Sequence, residues 1–326
     1  MLGQYISKSK SFLNLINDCN KDKMPHALML VSSDKLYAER YAENLAKLML
    51  CENKIEGKFC GECNVCQNIS KGVHPDVIRF GKEETISSED AGKITDSVII
   101  GPYSAERKVY ILYNYDEVNK TVENKLLKTL EEPPSYCTFI LVVRNVNKLL
   151  QTTLSRTRKI YLEGLSVQDL TSILKSRNIP DAELVAIQSC GNLEKAETFS
   201  KNNDAKQIMS FVSNCLLNMN DTMSIMDYAF KFDEFATQFD DVINTFALVA
   251  FDALKAKIGA FDLVDNKLNI EKIKNIAESI SITALTKIIE QTYKAKEMRE
   301  ANVVIQNIID QFLLKIVEVK LKCRTR

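Results

Sequence analysis

Four cysteines, Cys51, Cys60, Cys63 and Cys66, form a C-x8-C-x2-C-x2-C array. Four soft thiolates this close in sequence are the ligand set of a tetrahedral zinc ion. Because four protein ligands leave no open position for water, the expected chemistry is a staple for a loop rather than catalysis. Gly57 and Gly61 lie beside the ligands, where a chain wrapping a metal needs permissive backbone. An iron–sulfur cluster also accepts C-x2-C-x2-C, but here the fourth cysteine lies upstream and no Cys-Pro follows, so zinc is preferred. The other five cysteines, Cys19, Cys137, Cys190, Cys215 and Cys323, are dispersed, which reads as buried thiols and not as a disulfide framework. His74, immediately before Pro75, reads as a loop residue rather than a spare ligand.

A second stretch has the placement of a nucleotide site without its residues. A working phosphate loop, Gly-x4-Gly-Lys-Ser/Thr, leaves a buried strand and opens the next helix. Aligned from His26-Ala27, this chain puts Ser32 and Tyr37 at the two glycines, Ala38 at the phosphate lysine and Glu39 at the magnesium hydroxyl. The tyrosine obstructs close backbone approach, and Glu39 brings negative charge to a helix N-terminus that would otherwise attract phosphate. Lys35 compensates in part, which leaves room for weak binding and none for hydrolysis. The acidic pair that holds magnesium is also missing: its places hold Tyr113 and Asn114. Asp116 and Glu117 fall two or three residues late and read as charges at the head of the helix that begins near Thr121.

These groups must be positioned by alternating strands and helices. Ala27 to Val31, Val77 to Phe80, Val109 to Tyr113 and Thr138 to Val143 read as buried strands, with a further one at Lys159 to Leu162. Between the third and fourth, Val122, Leu126, Leu127 and Leu130 recur at helical spacing until Pro133-Pro134 remove amide donors, so a parallel α/β sheet is expected. Beyond about Leu165 the pattern is amphipathic helix throughout: a small bundle to Ser200, a junction at Asn202-Asn203-Asp204, then a larger bundle. A length of 326 residues accommodates two or three such domains. With 26% charged residues and few Gly or Pro, the disordered and collagen-like classes are excluded. Lys plus Arg and Asp plus Glu both number 43, so nothing global attracts nucleic acid or an anionic membrane. The first ten residues lack a secretory core and no run approaches a membrane span, so a cytoplasmic protein is expected. The basic end, Lys320, Lys322, Arg324 and Arg326, reads as a solvated, frayed tail.

The string Asn124-Lys125-Leu126-Leu127-Lys128-Thr129-Leu130-Glu131-Glu132-Pro133-Pro134, followed by Thr138-Phe139-Ile140-Leu141, Leu149-Leu150 and Thr153-Leu154-Ser155-Arg156, resembles the central signature of bacterial DNA polymerase III clamp-loader subunits. The cysteine spacing is similar to that of the gamma/tau and delta-prime members. Ala301-Asn302-Val303 with Ile305, Ile308, Ile309 and Leu313 resembles, more weakly, their last collar helix. Two places depart from the pattern: the family's Ser-Arg-Cys is Ser155-Arg156-Thr157, and Glu194 stands where a second-sensor arginine belongs, beside Gly191-Asn192-Leu193.

The resemblance implies an AAA+ α/β module over residues 1–165 carrying the zinc insert (51–66), a small helical lid (166–203) and an all-α collar domain (204–326). Loss of the phosphate loop, a degenerate Walker A, is similar to the delta-prime type, for which no intrinsic ATPase and no bound ATP are expected. In a ring with gamma/tau and delta, ATP lies at subunit boundaries. Arg156 is then the arginine finger that completes a neighbour's site, with Arg158 and Lys159 as lesser substitutes. The sliding clamp and primer-template DNA would be partners of the assembled replication machine. The competing readings are an active gamma/tau-type ATPase and a zinc-dependent DNA-binding protein. The second is disfavoured because the cysteine module sets Lys54, Lys58 and Lys71 against Glu52, Glu56 and Glu62, and no recognition-helix pattern follows.

Overall fold

A computed structural model describes residues 2–202 and 204–322. Asn203 of the expected junction, and Cys323, Arg324 and Arg326, lie outside the described residues. The chain divides into two compact units: one runs to Asp169 and includes Asn192–Glu194, the other comprises Leu170–Gly191 and the chain from Lys195 onward.

The first unit runs α1 (Leu2–Ile6), α2 (Lys10–Asn20), β1 (Ala27–Val31), α3 (Lys35–Leu50), α4 (Asn64–Lys71), β2 (Val77–Phe80), α5 (Ser88–Val98), β3 (Lys108–Leu112), α6 (Lys120–Glu131), β4 (Cys137–Val143), α7 (Gln151–Arg156) and β5 (Arg158–Tyr161), entering α8 (Val167–Ser176). The five strands form one parallel sheet in the order β2-β3-β4-β1-β5. Every residue of β3 and β4 is buried, as strands covered on both faces require. On one face Met29, Tyr110, Leu112, Phe139 and Leu141 pack with Ile94 and Val98 of α5 and with Val122, Leu126 and Leu130 of α6. On the other face α3 lies against β1 and β4. Burying each of the three α6 side chains contributes about 1.5–3 kcal/mol, which is why a sequence with that spacing makes a helix here. Edge strand β5 is exposed at Arg158, Lys159 and Tyr161, and its charges discourage pairing with a further strand.

Several expectations shift. The third strand is Lys108–Leu112 rather than Val109–Tyr113, the fourth begins at Cys137, and the fifth is Arg158–Tyr161 rather than Lys159 to Leu162. Past Leu112 the chain turns through Asn114, at φ 48°. Helix α6 starts at Lys120, with Asn119 accepting from the Val122 amide at 2.9 Å. Asp116 is not a charge at the head of α6. It is buried in a short 3-10 turn, and its carboxylate accepts from the Arg144 and Asn145 amides at 3.1 and 3.0 Å, tying down the exit of β4.

The second unit is helical, with α9 (Ala182–Gln188), α10 (Leu193–Asn202), α11 (Asp204–Asn218), α12 (Thr222–Asp233), α13 (Phe239–Lys257), α14 (Ile270–Ser279), α15 (Ile282–Glu300) and α16 (Ile305–Lys322). Its core includes Phe246 set edge-on to Phe312 at 5.0 Å. The expected frayed tail is corrected at Lys320. That side chain is buried, and its ammonium donates to the carbonyls of Leu216 and Met219 at 2.7 and 2.8 Å, satisfying the C-terminal end of α11. Among the described residues no helix is long and apolar enough to cross a membrane.

One buried carboxylate fixes the approach to the central strands. Asp76 accepts from the amides of Tyr103, Ser104 and Ala105 (2.5, 2.7 and 2.9 Å) and from the Ser104 hydroxyl (2.9 Å). Burial alone would raise its pKa, but these four donors more than offset that, and the net shift is downward. A depressed folded-state pKa means the stabilisation is present above the unfolded value of about 3.9 and is lost as pH falls through the lower folded value. Asp76→Asn is expected to destabilise the chain by about 2–4 kcal/mol at pH 7 in urea unfolding. The variant should also lose stability less steeply than the wild type below about pH 4, and parallel acid limbs would show that Asp76 does not carry the effect.

Candidate functional site

The four cysteines converge. Cys51 directly follows α3, and Cys63 caps α4. Between them, positive φ at Glu56, Gly57 and Gly61 folds the segment back, with Ile55 and Lys58 exchanging backbone hydrogen bonds of 2.9 Å. Glycine suits position 57 by its left-handed conformation, at φ 76°; a side chain there would also displace the Asn20 side-chain amide, 2.2 Å away. The four Sγ atoms all lie within 4.8 Å of one another, with Cys51–Cys60 at 3.6 Å and Cys51–Cys63 at 3.9 Å. A tetrahedral ion with metal–sulfur bonds of about 2.3 Å requires sulfurs about 3.8 Å apart. The group therefore fits a metal ion closed to water. Amides of Cys60, Cys63 and Cys66 donate to the sulfurs of Cys51, Cys60 and Cys63 at 3.3, 3.3 and 3.5 Å, an arrangement that favours thiolates. Amides of Cys63 and Glu62 bring the Cys60 thiol down to about 7, whereas burial pushes those of Cys51 and Cys66 up. His74 is apart from this group. It is buried, and its Nδ1 accepts from the Asp76 amide at 3.2 Å.

At the second position the head of α3 is filled by the protein's own anions. The Ser32 hydroxyl accepts from the Asp34 amide at 3.0 Å. Asp34 is the N-cap of α3: one carboxylate oxygen accepts from the Tyr37 amide at 3.0 Å, the other from the Leu193 amide. Glu194 accepts from the Lys35 amide at 3.3 Å, and the Arg144 guanidinium reaches both its oxygens at 3.1 Å. Thus the amides that could cradle a phosphate carry two carboxylates. A phosphate charge brought within about 4 Å of either would be opposed by ~4 kcal/mol at an effective dielectric near 20, about three decades in affinity. Tyr37 and Ala38 are buried in the helix packing, and burial raises the Tyr37 hydroxyl to about 12. Glu39 is buried, with the Lys82 ammonium 3.9 Å away, and the same ammonium lies over the Tyr113 ring. Burial raises the pKa of Glu39, against the pull of Lys82. Asn114 donates to the Gly81 carbonyl at 2.7 Å, a structural use of a position where a magnesium ligand would stand.

Arg156 ends α7. Its Nη2 donates to Glu131 at 2.7 Å and its Nη1 to the Thr152 carbonyl at 3.0 Å. Arg158 pairs with Asp18 at 2.6 Å. Sequence reasoning missed Asp34, Arg144, Asp76 and Glu123. Asp34 was legible as an N-cap residue before a helical run. The others act through partners far along the chain, which no local signal reveals.

Residues 7–166 match a family model described as DNA polymerase III, delta subunit. The chain is 31% identical over 219 residues to DNA polymerase III subunit gamma of Buchnera aphidicola, covering 62% of this chain and 59% of that protein. It is 29% identical over 223 residues to subunit tau/gamma of Haemophilus influenzae, covering 65% and 32%, and 26% identical over 229 residues to subunit tau of Bacillus subtilis, covering 70% and 38%. The alignments thus span about a third to three fifths of these relatives. The family match takes in residues 7–166, just under half of the chain, and over that stretch the chain is similar to DNA polymerase III subunits. The three relatives carry gamma and tau names.

The thiol geometry sets an expectation for the purified chain: one equivalent of bound metal, retained near neutral pH and released on acidification as the thiolates protonate. Cys63→Ser should lower both the metal content and the melting temperature. Metal-free protein with an unchanged melting curve would show that the cluster is held by packing alone.

Proposed function

We propose that this chain is the delta-prime type of clamp-loader subunit, an AAA+ protein that hydrolyses no ATP itself and completes an ATP site on a neighbour. One observation carries the reading: Asp34 and Glu194 occupy the amides at the head of α3, where a nucleotide phosphate would be held. The replacements Ser32, Tyr37, Ala38 and Glu39, and the use of Tyr113 and Asn114 for packing and turn formation, agree with it. In this reading residues 1–165 form the AAA+ α/β domain, 166–203 a lid and 204–326 a collar that joins gamma/tau and delta. Zinc on Cys51, Cys60, Cys63 and Cys66 is a structural staple, and the assembled cytoplasmic machine, part of the polymerase III holoenzyme, places the sliding clamp on primed DNA.

Arg156 supplies the chemistry. As a γ-phosphoryl group transfers, negative charge spreads over its oxygens, and a planar guanidinium from the adjacent protomer stabilises that charge. Such fingers are worth on the order of 10³ to 10⁵ in rate for GTPases. The effect on a whole ring is smaller, because one subunit completes one site among several. The gamma and tau names of the relatives favour a second reading, an active ATPase with an unusual phosphate loop.

Calorimetry separates the two: the isolated chain is expected to show no tight magnesium-ATP binding and no turnover above background. Turnover that survives further purification and disappears on substitution at Ala38 or Glu39 would support the ATPase. In the reconstituted complex, Arg156→Ala and Arg156→Lys should assemble normally on size exclusion while both lower the clamp- and DNA-stimulated ATPase. Undiminished rates in both would remove the finger role.

A further inference from the structure

Two strings that stand apart in the sequence, Leu130-Glu131-Glu132-Pro133-Pro134 and Ser155-Arg156, meet in space. Helix α6 holds α7 at both ends. At the start of α7, buried Glu123 accepts from the Leu150 amide at 2.8 Å and from the Thr153 hydroxyl at 2.6 Å, satisfying the head of that short helix. Two turns further along α6, Glu131 pairs with Arg156 at the other end of α7. The backbone carrying the arginine is therefore fixed by a buried contact, and the guanidinium by the Nη1 bond to the Thr152 carbonyl and a separate, half-exposed pair with Glu131: the Arg156 side chain is 28% exposed and that of Glu131 52%.

The guanidinium is poorly served where it lies. It contacts Glu131 through a single nitrogen, without the paired, fork-like geometry that makes arginine–carboxylate contacts strong. Its Nε is buried and has no hydrogen-bond partner among the described residues, an arrangement that disfavours this rotamer. A half-exposed pair with one point of contact is weak and screened by salt. A phosphate offers oxygens for paired donation, which this position lacks.

We propose that Glu131 parks Arg156 while the neighbouring site is empty, and that a phosphate anion across the interface takes the guanidinium from it. Glu131 is a positioning residue that acts through Arg156, and α7 itself stays in place on Glu123 during the exchange. The inference rests on the finger reading above and adds a competition to it: each nucleotide bound at the neighbour's site must first break the Glu131 contact.

The test uses the reconstituted complex with wild-type, Glu131→Gln, Glu131→Asp, Arg156→Ala and Arg156→Ala/Glu131→Gln subunits. The clamp- and DNA-stimulated ATPase is followed against ATP concentration, with melting curves of each chain as the folding control. Glu131→Gln removes the competing charge and keeps the shape. It is expected to lower the apparent KM for ATP by about two- to fivefold, the size a half-exposed pair supplies, at unchanged kcat. Glu131→Asp keeps the charge and should stay near the wild-type KM. In the Arg156→Ala background Glu131→Gln should change nothing, since no guanidinium remains to be released. A lowered kcat at constant KM, or the same KM shift without Arg156, overturns parking. If Arg156→Ala lowers the rate but Glu131→Gln moves neither constant, the parking inference alone fails. If Arg156→Ala equals wild type, the finger reading fails and takes this inference with it.

Discussion

The amides at the head of α3, buried or half-buried, need acceptors, because a helix cannot satisfy its own first turn. In a nucleotide-binding protein a phosphate provides them. Here Asp34 and Glu194 do so, and Arg144 balances part of the resulting charge. This substitution lets the first unit fold around a helix terminus that would otherwise wait for a ligand. It also links the two candidate sites, since α3 has these carboxylate-capped amides at its head and leads directly into Cys51 at its tail.

The same device recurs wherever a loop at a strand end has to be held. Asp76 gathers the amides before β3, Asp116 those after β4, and Glu123 those at the start of α7. Each is a buried carboxylate whose oxygens meet backbone donors, the condition under which a charge is tolerated in a protein interior. Burial of the apolar sheet drives the first unit to fold. The carboxylates decide where its loops lie, and therefore where Cys51 and Arg156 are presented.

Much of this was legible in the residues. Alternation of apolar runs with the Val122, Leu126, Leu130 spacing located the strands and α6 to within a residue or two, because burial on both faces leaves little freedom in composition. Cys51, Cys60, Cys63 and Cys66 declared themselves through spacing, since a loop that brings thiols together must be short. Two readings failed for a common reason. Asp116 and Lys320 were assigned to solvent-facing ends by their charge and position, yet each is buried on backbone groups that lie far away in the chain.

The sequence by itself determined which chemistry is possible: four thiolates for one ion, no lysine or glycines for a phosphate, and an arginine closing the string Thr153-Leu154-Ser155-Arg156. Only the tertiary structure decided what replaces the missing groups. Glu194 reaches the amide of Lys35 across 159 positions, and Glu131 reaches Arg156 across 25. Local pattern records propensity and burial, which depend on near neighbours. A hydrogen bond between distant residues depends on how the strands are ordered, and that order exists only once the chain has folded.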